Sequence, residues 1–294
     1  MSATRLILME LFISFPKETP DLLFPYYMKT PLPCNFSLQS DGHVHTKYCH
    51  HATGEMESYV LSAINAGLKE IVFLEHMEAG VHYFETTWLT EKDFDIYFAE
   101  GKLLQDKYRD TIRVSLGVEV GYSPSHKEEL LERLTKRKWD RVGVSYHFMS
   151  LPDQQYHPNL VSRNKKNIRA IEKAGSGKVL DNYFSTLLEA VKVLPGTVLC
   201  HLDAALRFQP GITINKHYLE PIKSILEAVK EKGMALEINT SGFTIRDIPF
   251  PAPFIVKEAL KMDIPLLPGS DAHNPEDVGR KFALLPDYLK SITE

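Results

Sequence analysis

The chain predicts a parallel α/β fold closed into a barrel, and three observations carry that expectation. Seven apolar, strand-like runs alternate with amphipathic helical stretches, the pattern of repeated βα units. Nine residues of metal-binding type stand where successive runs end: His43, His45, His51, His76, Glu119, His147, His201, Asp271 and His273. Ligands gathered at one end of a parallel barrel form a multinuclear metal site. The length of 294 residues suits one α/β barrel with additions, because such barrels commonly run to about 200–250 residues as one domain.

The first strand, near 36–44, leads into Asp41-Gly-His43-Val-His45-Thr. Residues two apart on a strand share a face with Cα atoms roughly 6.5–7 Å apart, so His43 and His45 can close on one ion. His51 comes from the loop that follows. A helical stretch near 55–67 precedes the second strand, near 70–76, which ends in Phe73-Leu-Glu-His76. A helix near 91–108 and a strand near 113–120 give Leu116-Gly-Val-Glu119. The next pair, helix near 125–136 and strand near 141–147, gives Val144-Ser-Tyr-His147. A long helical stretch near 166–193 leads to the strand near 197–202 and Val198-Leu-Cys-His201. Helix near 217–232 and strand near 234–239 follow, then helix near 253–262 and strand near 265–270. That last strand runs into Ser270-Asp271-Ala-His273, and a final helical stretch is expected near 276–284. The stretch 148–195, with Gly175-Ser-Gly177 inside it, reads as an insertion over the barrel mouth, where such barrels keep substrate-selecting loops.

Residues 1–35 stand apart from this pattern and read as an N-terminal arm to a barrel of residues 36–294, packing on the barrel bottom or on a neighbouring subunit. Its apolar run, Leu6-Ile-Leu-Met-Glu-Leu-Phe-Ile-Ser-Phe, holds Glu10 and is followed by Pro16 and Pro20 without a small-residue cleavage site, so it does not read as a signal peptide. It is also too short to span a membrane. Translation from Met28 would leave the barrel intact.

Hydrophobic content of 44% and charged content of 24% are those of an ordinary globule. A net charge of −4 supplies no basic field for nucleic acid, which is disfavoured as a partner. Three cysteines, Cys34, Cys49 and Cys200, form no even disulfide framework and suit the reducing cytoplasm. Cys200 is expected to face away from His201 on its strand, as a small core residue. Oligomeric state has no signature in the sequence.

Each histidine taken singly is better explained as a hydrogen-bonded core residue than as a ligand. That explanation gives no reason for so many of the 12 histidines to gather at strand ends. The fragments Asp41-Gly-His43-Val-His45-Thr, Glu75-His76, Gly117-Val-Glu119, Tyr146-His147, His201-Leu-Asp203 and Ser270-Asp271-Ala-His273 resemble, in order, the motif series of the PHP (polymerase and histidinol phosphatase) family. The resemblance spans residues 36–285. Cys49-His-His51-Ala-Thr-Gly, Leu236-Glu-Ile-Asn-Thr-Ser-Gly242 and Asp271-Ala-His-Asn-Pro-Glu-Asp-Val-Gly279 are similar to its histidinol-phosphatase branch.

The resemblance implies a distorted (βα)7 TIM-like barrel holding three divalent metal ions. It assigns His43, His45, Glu119 and Asp271 to the first ion, Glu119 as a bridge with His147 and His201 to the second, and His51, His76 and His273 to the third. The family carries a single loop histidine where this chain has His50 and His51; spacing from His43 favours His51, with His50 as the fallback. Imidazoles with carboxylates suit Zn, Mn or Fe better than Ca or Mg, which prefer all-oxygen shells.

The implied activity is a phosphomonoesterase releasing L-histidinol and phosphate from L-histidinol phosphate. Rival readings are a PHP phosphoesterase acting on nucleotides or oligonucleotides, and a non-catalytic regulatory domain; retention of all nine residues weighs against the latter. Glu119 and Asp271 would be essential to turnover. Arg163 and Arg207, in loops after ligand-bearing strands, are candidates for bidentate phosphate contacts, each weighed against an ordinary surface arginine. Asp203 and Tyr122 are candidates to orient a histidine from behind. For the far end of the substrate, an ammonium and an imidazole, the candidates are Glu78, Glu85, Asp153 and Tyr156.

Overall fold

The computed structural model of the chain describes residues 36–152 and 154–293. The expected N-terminal arm and Asp153 lie outside the described residues.

Seven strands form one parallel sheet in sequence order: β1 (Ser40–Val44), β2 (Glu70–Met77), β3 (Arg113–Gly121), β4 (Arg141–Ser145), β5 (Val198–Leu199), β6 (Ala235–Asn239) and β7 (Leu266–Gly269). The sheet closes on itself just beyond β7. There His45 N donates to Ala272 O and Asp271 N to His43 O, each at 2.9 Å, and Val44 bridges Ala272 in parallel. The fold is therefore the distorted (βα)7 barrel expected. The distortion is visible in the two-residue β5 and in a register shift between Asp41 and Val44.

Helices α1 (Met56–Asn65), α2 (Glu91–Tyr108), α3 (Lys127–Thr135), α4 (Lys165–Ala174), α5 (Ser176–Val193), α6 (Leu219–Glu231), α7 (Gly242–Arg246), α8 (Pro253–Lys261) and α9 (Leu285–Thr293) lie between and after the strands. Local chemistry sets their ends. Thr90 and Asp93 form a reciprocal capping box that starts α2, and Pro253 opens α8 in the first turn, where a missing N–H costs nothing. Helix α2 turns Phe94, Tyr97 and Leu104 to the sheet, and the Tyr97 hydroxyl donates to Phe73 O and Gly117 O. Burying each such side chain contributes about 1.5–3 kcal/mol.

Two expectations need correction. The stretch 166–193 is not one helix: Gly175, at φ +90°, ends α4 and separates it from α5, whose buried face packs on α6 and β4. Of the stretch 148–195, the residues that line the cleft at the strand ends, among them Phe148, Asn159 and Arg163, all precede α4. The helix expected near 276–284 is absent, and short 3-10 turns, Pro275–Asp277 and Phe282–Leu284, stand there before α9. The reason is long-range bonding: Gly279 N donates to Asp41 Oδ2 at 2.8 Å and Arg280 to the carbonyl of Ser270, which pull the segment onto the end of β7. Among the described residues no helix is long and apolar enough to cross a membrane.

Candidate metal centre

Because all strands run the same way, their C-terminal ends share one end of the barrel. Below that end the interior is an apolar plug of Val72, Leu74, Val198, Cys200 and Ala235. Above it the nine predicted side chains converge. Glu119, on β3, is the centre: its Oε1 lies 2.8 Å from His201 Nε2 and 3.2 Å from His147 Nε2. Its Oε2 lies 3.0 Å from His76 Nδ1, 3.5 Å from His43 Nε2 and 3.6 Å from His45 Nε2. Asp271 Oδ1 stands 3.4 Å from His45 Nε2 and 3.6 Å from His273 Nδ1. His51 joins through His273, Nε2 to Nε2 at 2.9 Å. His50 does not join; it caps the preceding 3-10 turn at φ +62° and faces Asp93 at 4.0 Å.

The hydrogen bonds behind the rings test whether this set fits metal ions. A backbone carbonyl can only accept, so His51 Nδ1, at 2.8 Å from Cys49 O, and His273 Nδ1, at 3.0 Å from Asp271 O, must carry the protons. Both Nε2 atoms are then bare lone pairs, and they face each other at 2.9 Å. His43 Nδ1 is held by Glu237 Oε1 at 2.6 Å, and its Nε2 meets His45 Nε2 at 2.8 Å. Glu119 Oε2 and His45 Nδ1 are buried without a hydrogen-bond partner among the described residues. Acceptors pointed at acceptors, beside a buried carboxylate oxygen with no donor, call for cations, and imidazole nitrogens with carboxylates are the donor set of divalent metal ions. The donor atoms fall into several groups within 4.8 Å, including His43 with His45 and Asp271, His43 with Glu119 and His201, and His45 with His76 and His273.

Protonation follows the same geometry. Burial lowers the pKa of His45 far below the ordinary range, assisted by His76 and His273. Burial and the same two neighbours push His51 down to about 3, and burial also lowers His273. These rings are neutral ligands-in-waiting. Burial opposes charge on Glu119 and Asp271 too, but surrounding imidazoles outweigh it and hold both carboxyls well below their usual range. At His147 the carboxylates of Glu119 and Glu78 overcome burial and raise the pKa to about 10. His43 is raised for the like reason by Glu237 and Glu119. His201 and Asp271 hold positive φ angles of 26° and 53°, a backbone cost that concentrates at functional sites.

A cleft of about 760 Å³ opens above the cluster, lined among others by Tyr83, Glu85, Phe148, Arg163, Arg207 and Arg280. Arg163 and Arg207 thus reach the place expected of them; Arg163 is exposed, whereas Arg207 is anchored by Nε to Val161 O at 3.1 Å. Arg280 is a third cation that sequence reasoning missed, hidden in the segment read as a helix. It donates to the carbonyls of Ser270 and Asp271 and pairs with Asp277 at 3.2 Å.

Several secondary expectations fail. Asp203 touches no histidine: it pairs with Arg246 at 3.0 and 3.1 Å and accepts from Ala252 N. The Tyr122 hydroxyl donates to Glu189 Oε1 at 2.7 Å, so Tyr122 packs rather than orients. The carboxylates that reach ring nitrogens of the cluster from behind are instead Glu237, on His43 Nδ1, and Glu78, on His147 Nδ1 at 2.9 Å, which removes Glu78 from the free substrate-binding groups. Tyr156 sits behind the cleft wall against Tyr83 and Phe84 and donates to Lys166 O. Cys200 does not face away from His201; the positive φ of His201 breaks the alternation, and the Cys200 thiol lies beside His43 and Glu237 inside the barrel. Glu237 lay within a fragment already singled out, on the interior face two residues from Asn239; its partner was not readable there.

Known proteins share this fold. A protein of Deinococcus radiodurans named "Probable histidinol-phosphatase" is 28% identical over 86% of this chain and 92% of its own. A histidinol-phosphatase of Bacillus subtilis is 25% identical over 82% of this chain and 96% of its own. A crystal structure of a histidinol phosphate phosphatase from Lactococcus lactis, solved with zinc, L-histidinol and phosphate, superposes with a TM-score of 0.66 at 21% identity, over 86% of this chain and 93% of that one. The profile of the PHP domain matches residues 41–241, more than half the chain, and the chain belongs to the PHP domain family.

Proposed function

We propose that residues 36–294 form a metal-dependent phosphomonoesterase that hydrolyses L-histidinol phosphate to L-histidinol and phosphate. The observation that carries this reading is the convergence of seven histidines on Glu119 and Asp271 at the floor of a cleft that also holds three arginines. The names of the two curated relatives and the ligands of the Lactococcus lactis structure point to the same substrate.

We assign three ions: one on His43, His45, Glu119 and Asp271, one on Glu119, His147 and His201, and one on His51, His76 and His273, with Zn, Mn or Fe suited to these donors. When bound, such ions would supply a water deprotonated near neutral pH and positive charge at the phosphoryl oxygens. The chain's own residues do the rest. Glu119 and Asp271 are held ionised by their imidazole neighbours. Arg207, and Arg163 from the neighbouring loop, offer guanidinium donors to the phosphoryl group. Tyr83, Phe148 and Glu85 form a wall of π faces and one carboxylate for the cationic, ring-bearing leaving group. A cleft of this volume suits a small-molecule monoester, and histidine biosynthesis in the cytoplasm is the setting the reading implies.

The deciding experiment assays metal-loaded protein against a panel of phosphate esters. The expected kcat/KM for histidinol phosphate exceeds that for nucleoside monophosphates and p-nitrophenyl phosphate by at least about 10²-fold, the discrimination a built polar pocket gives. Preference for nucleotides or oligonucleotides would promote the rival phosphoesterase. Metal binding without turnover of any ester would leave a regulatory domain.

A further inference from the structure

Two buried carboxylates outside the nine, Glu237 and Glu78, stand directly behind the cluster. Glu237, on β6, accepts His43 Nδ1 on Oε1 at 2.6 Å, and on Oε2 the backbone N–H of His201 at 2.7 Å and the side-chain amide of Asn239 at 3.2 Å. Glu78, just past β2, accepts His147 Nδ1 at 2.9 Å. Each is seated against a glycine of an adjacent strand. A Cβ at Gly269 would lie 2.3 Å from Glu237 Oε1 and 2.8 Å from His43 Cβ, and one at Gly121 would lie 1.9 Å from Glu78 Oε1. A Cβ at either position would displace the carboxylate from the seat it occupies.

We propose that Glu237 and Glu78 are positioning residues for the imidazoles of the centre, and that Gly269 and Gly121 are required at their positions to admit them. The inference rests on the metal reading above and deepens it. A carboxylate on Nδ1 fixes the tautomer that presents Nε2 as a lone pair, locks the ring plane and raises the ring's basicity. The two differ in reach. Glu78 holds one residue, His147, assigned to the second ion. Glu237 holds His43, assigned to the first ion, and the backbone of His201, assigned to the second, so it ties two parts of the centre together.

The test measures metal affinity on metal-stripped protein, by titrating zinc against a chromophoric chelator and by the visible spectrum of the cobalt-substituted form, with thermal melting of the stripped protein beside it. Glu78→Gln is expected to weaken one ion by about 10- to 100-fold, the range found for lost partners of ligand imidazoles. Glu237→Gln is expected to weaken two, because its new amide N–H would also confront the N–H of His201. Both should shift the cobalt bands while the stripped protein melts close to wild type. Gly121→Ala should reproduce the Glu78→Gln pattern with the carboxylate still present; if it fails to fold, the Gln variants carry the test alone. Asp203→Asn serves as the contrast, a buried carboxylate that touches no candidate ligand: it should lower the melting temperature and leave zinc affinity and cobalt bands unchanged. Wild-type affinities and spectra in both Gln variants, or equal weakening by Asp203→Asn, would overturn the proposal. Absence of tight zinc in the wild type would instead overturn the centre itself.

Discussion

The floor of the cleft is built from strand ends and its rim from loops, and the two differ in how many bonds hold each side chain. On the floor, His147 is held by Glu78 behind and Glu119 in front, His43 by Glu237 and its neighbours, and His51 by the Cys49 carbonyl. On the rim, Arg163 and Glu85 are exposed, and Arg207 is anchored by one donor to a backbone oxygen. Such a floor is preorganised for chemistry that tolerates little displacement. The rim is suited to selecting what enters, since its groups adjust at low cost.

The largest expected effects fall on the floor. Glu119→Gln or Asp271→Asn should lower kcat by at least about 10³-fold, because each removes charge worth several kcal/mol to the transition state, and elemental analysis should find fewer ions per chain. Full metal occupancy with near-normal turnover would take that residue out of the centre. Next comes stability: chelation should abolish activity and lower the melting temperature, since ligands at 1,000 times their dissociation constant contribute about 4 kcal/mol per site. An unchanged melting curve after stripping would show that the floor is ordered without ions.

Rim substitutions should leave the ions in place. Arg207→Ala is expected to reduce kcat/KM for the phosphate ester by about 10- to 10²-fold, the scale of a lost charge-assisted hydrogen bond. Arg163→Ala should cost less than about tenfold because an exposed guanidinium is screened by solvent. Arg280→Ala should behave as a hybrid, losing both affinity for the ester and part of the metal, because it also holds the Ser270 and Asp271 carbonyls. The smallest effect belongs to Glu85→Gln: a change of a few fold in the ratio of histidinol phosphate to p-nitrophenyl phosphate kcat/KM, as for an exposed charge. A larger shift in metal content from Arg207→Ala than from Glu119→Gln would reverse the comparison.

Floor and rim also differ in how far they could be read from residues alone. The floor was legible because a strand that ends inside a barrel obeys a period of two, so His43 and His45 declare a shared face by spacing. Asp271 and His273 showed the same spacing but lie past the end of β7, where Asp271 at φ +53° has left the strand. An apolar run that stops at a histidine or glutamate is likewise a local signal, as at His76, Glu119 and His147. The rim was only half legible: loops carry no period, so Arg163 and Arg207 were chosen by proximity to ligand strands, Arg280 was passed over, and Tyr156 was placed in the cleft although it packs behind the wall.

By itself the sequence determined seven parallel βα units and the end at which their polar residues gather, because burial periodicity and the common direction of βα units are local properties of the chain. Their closure into a distorted (βα)7 barrel was implied by the family resemblance. Tertiary structure alone decided the partners behind those residues. Glu237 meets His43 across 194 positions of sequence and Glu78 meets His147 across 69, while Asp203, two residues from His201, turns instead to Arg246. It also decided the end of the chain's last βα unit, where Gly279 and Arg280 bond to Asp41 and Ser270 instead of propagating a helix. Such pairings depend on barrel closure and register, which bring distant strand ends within hydrogen-bond range, and no local pattern of residue types encodes which end will stand beside which.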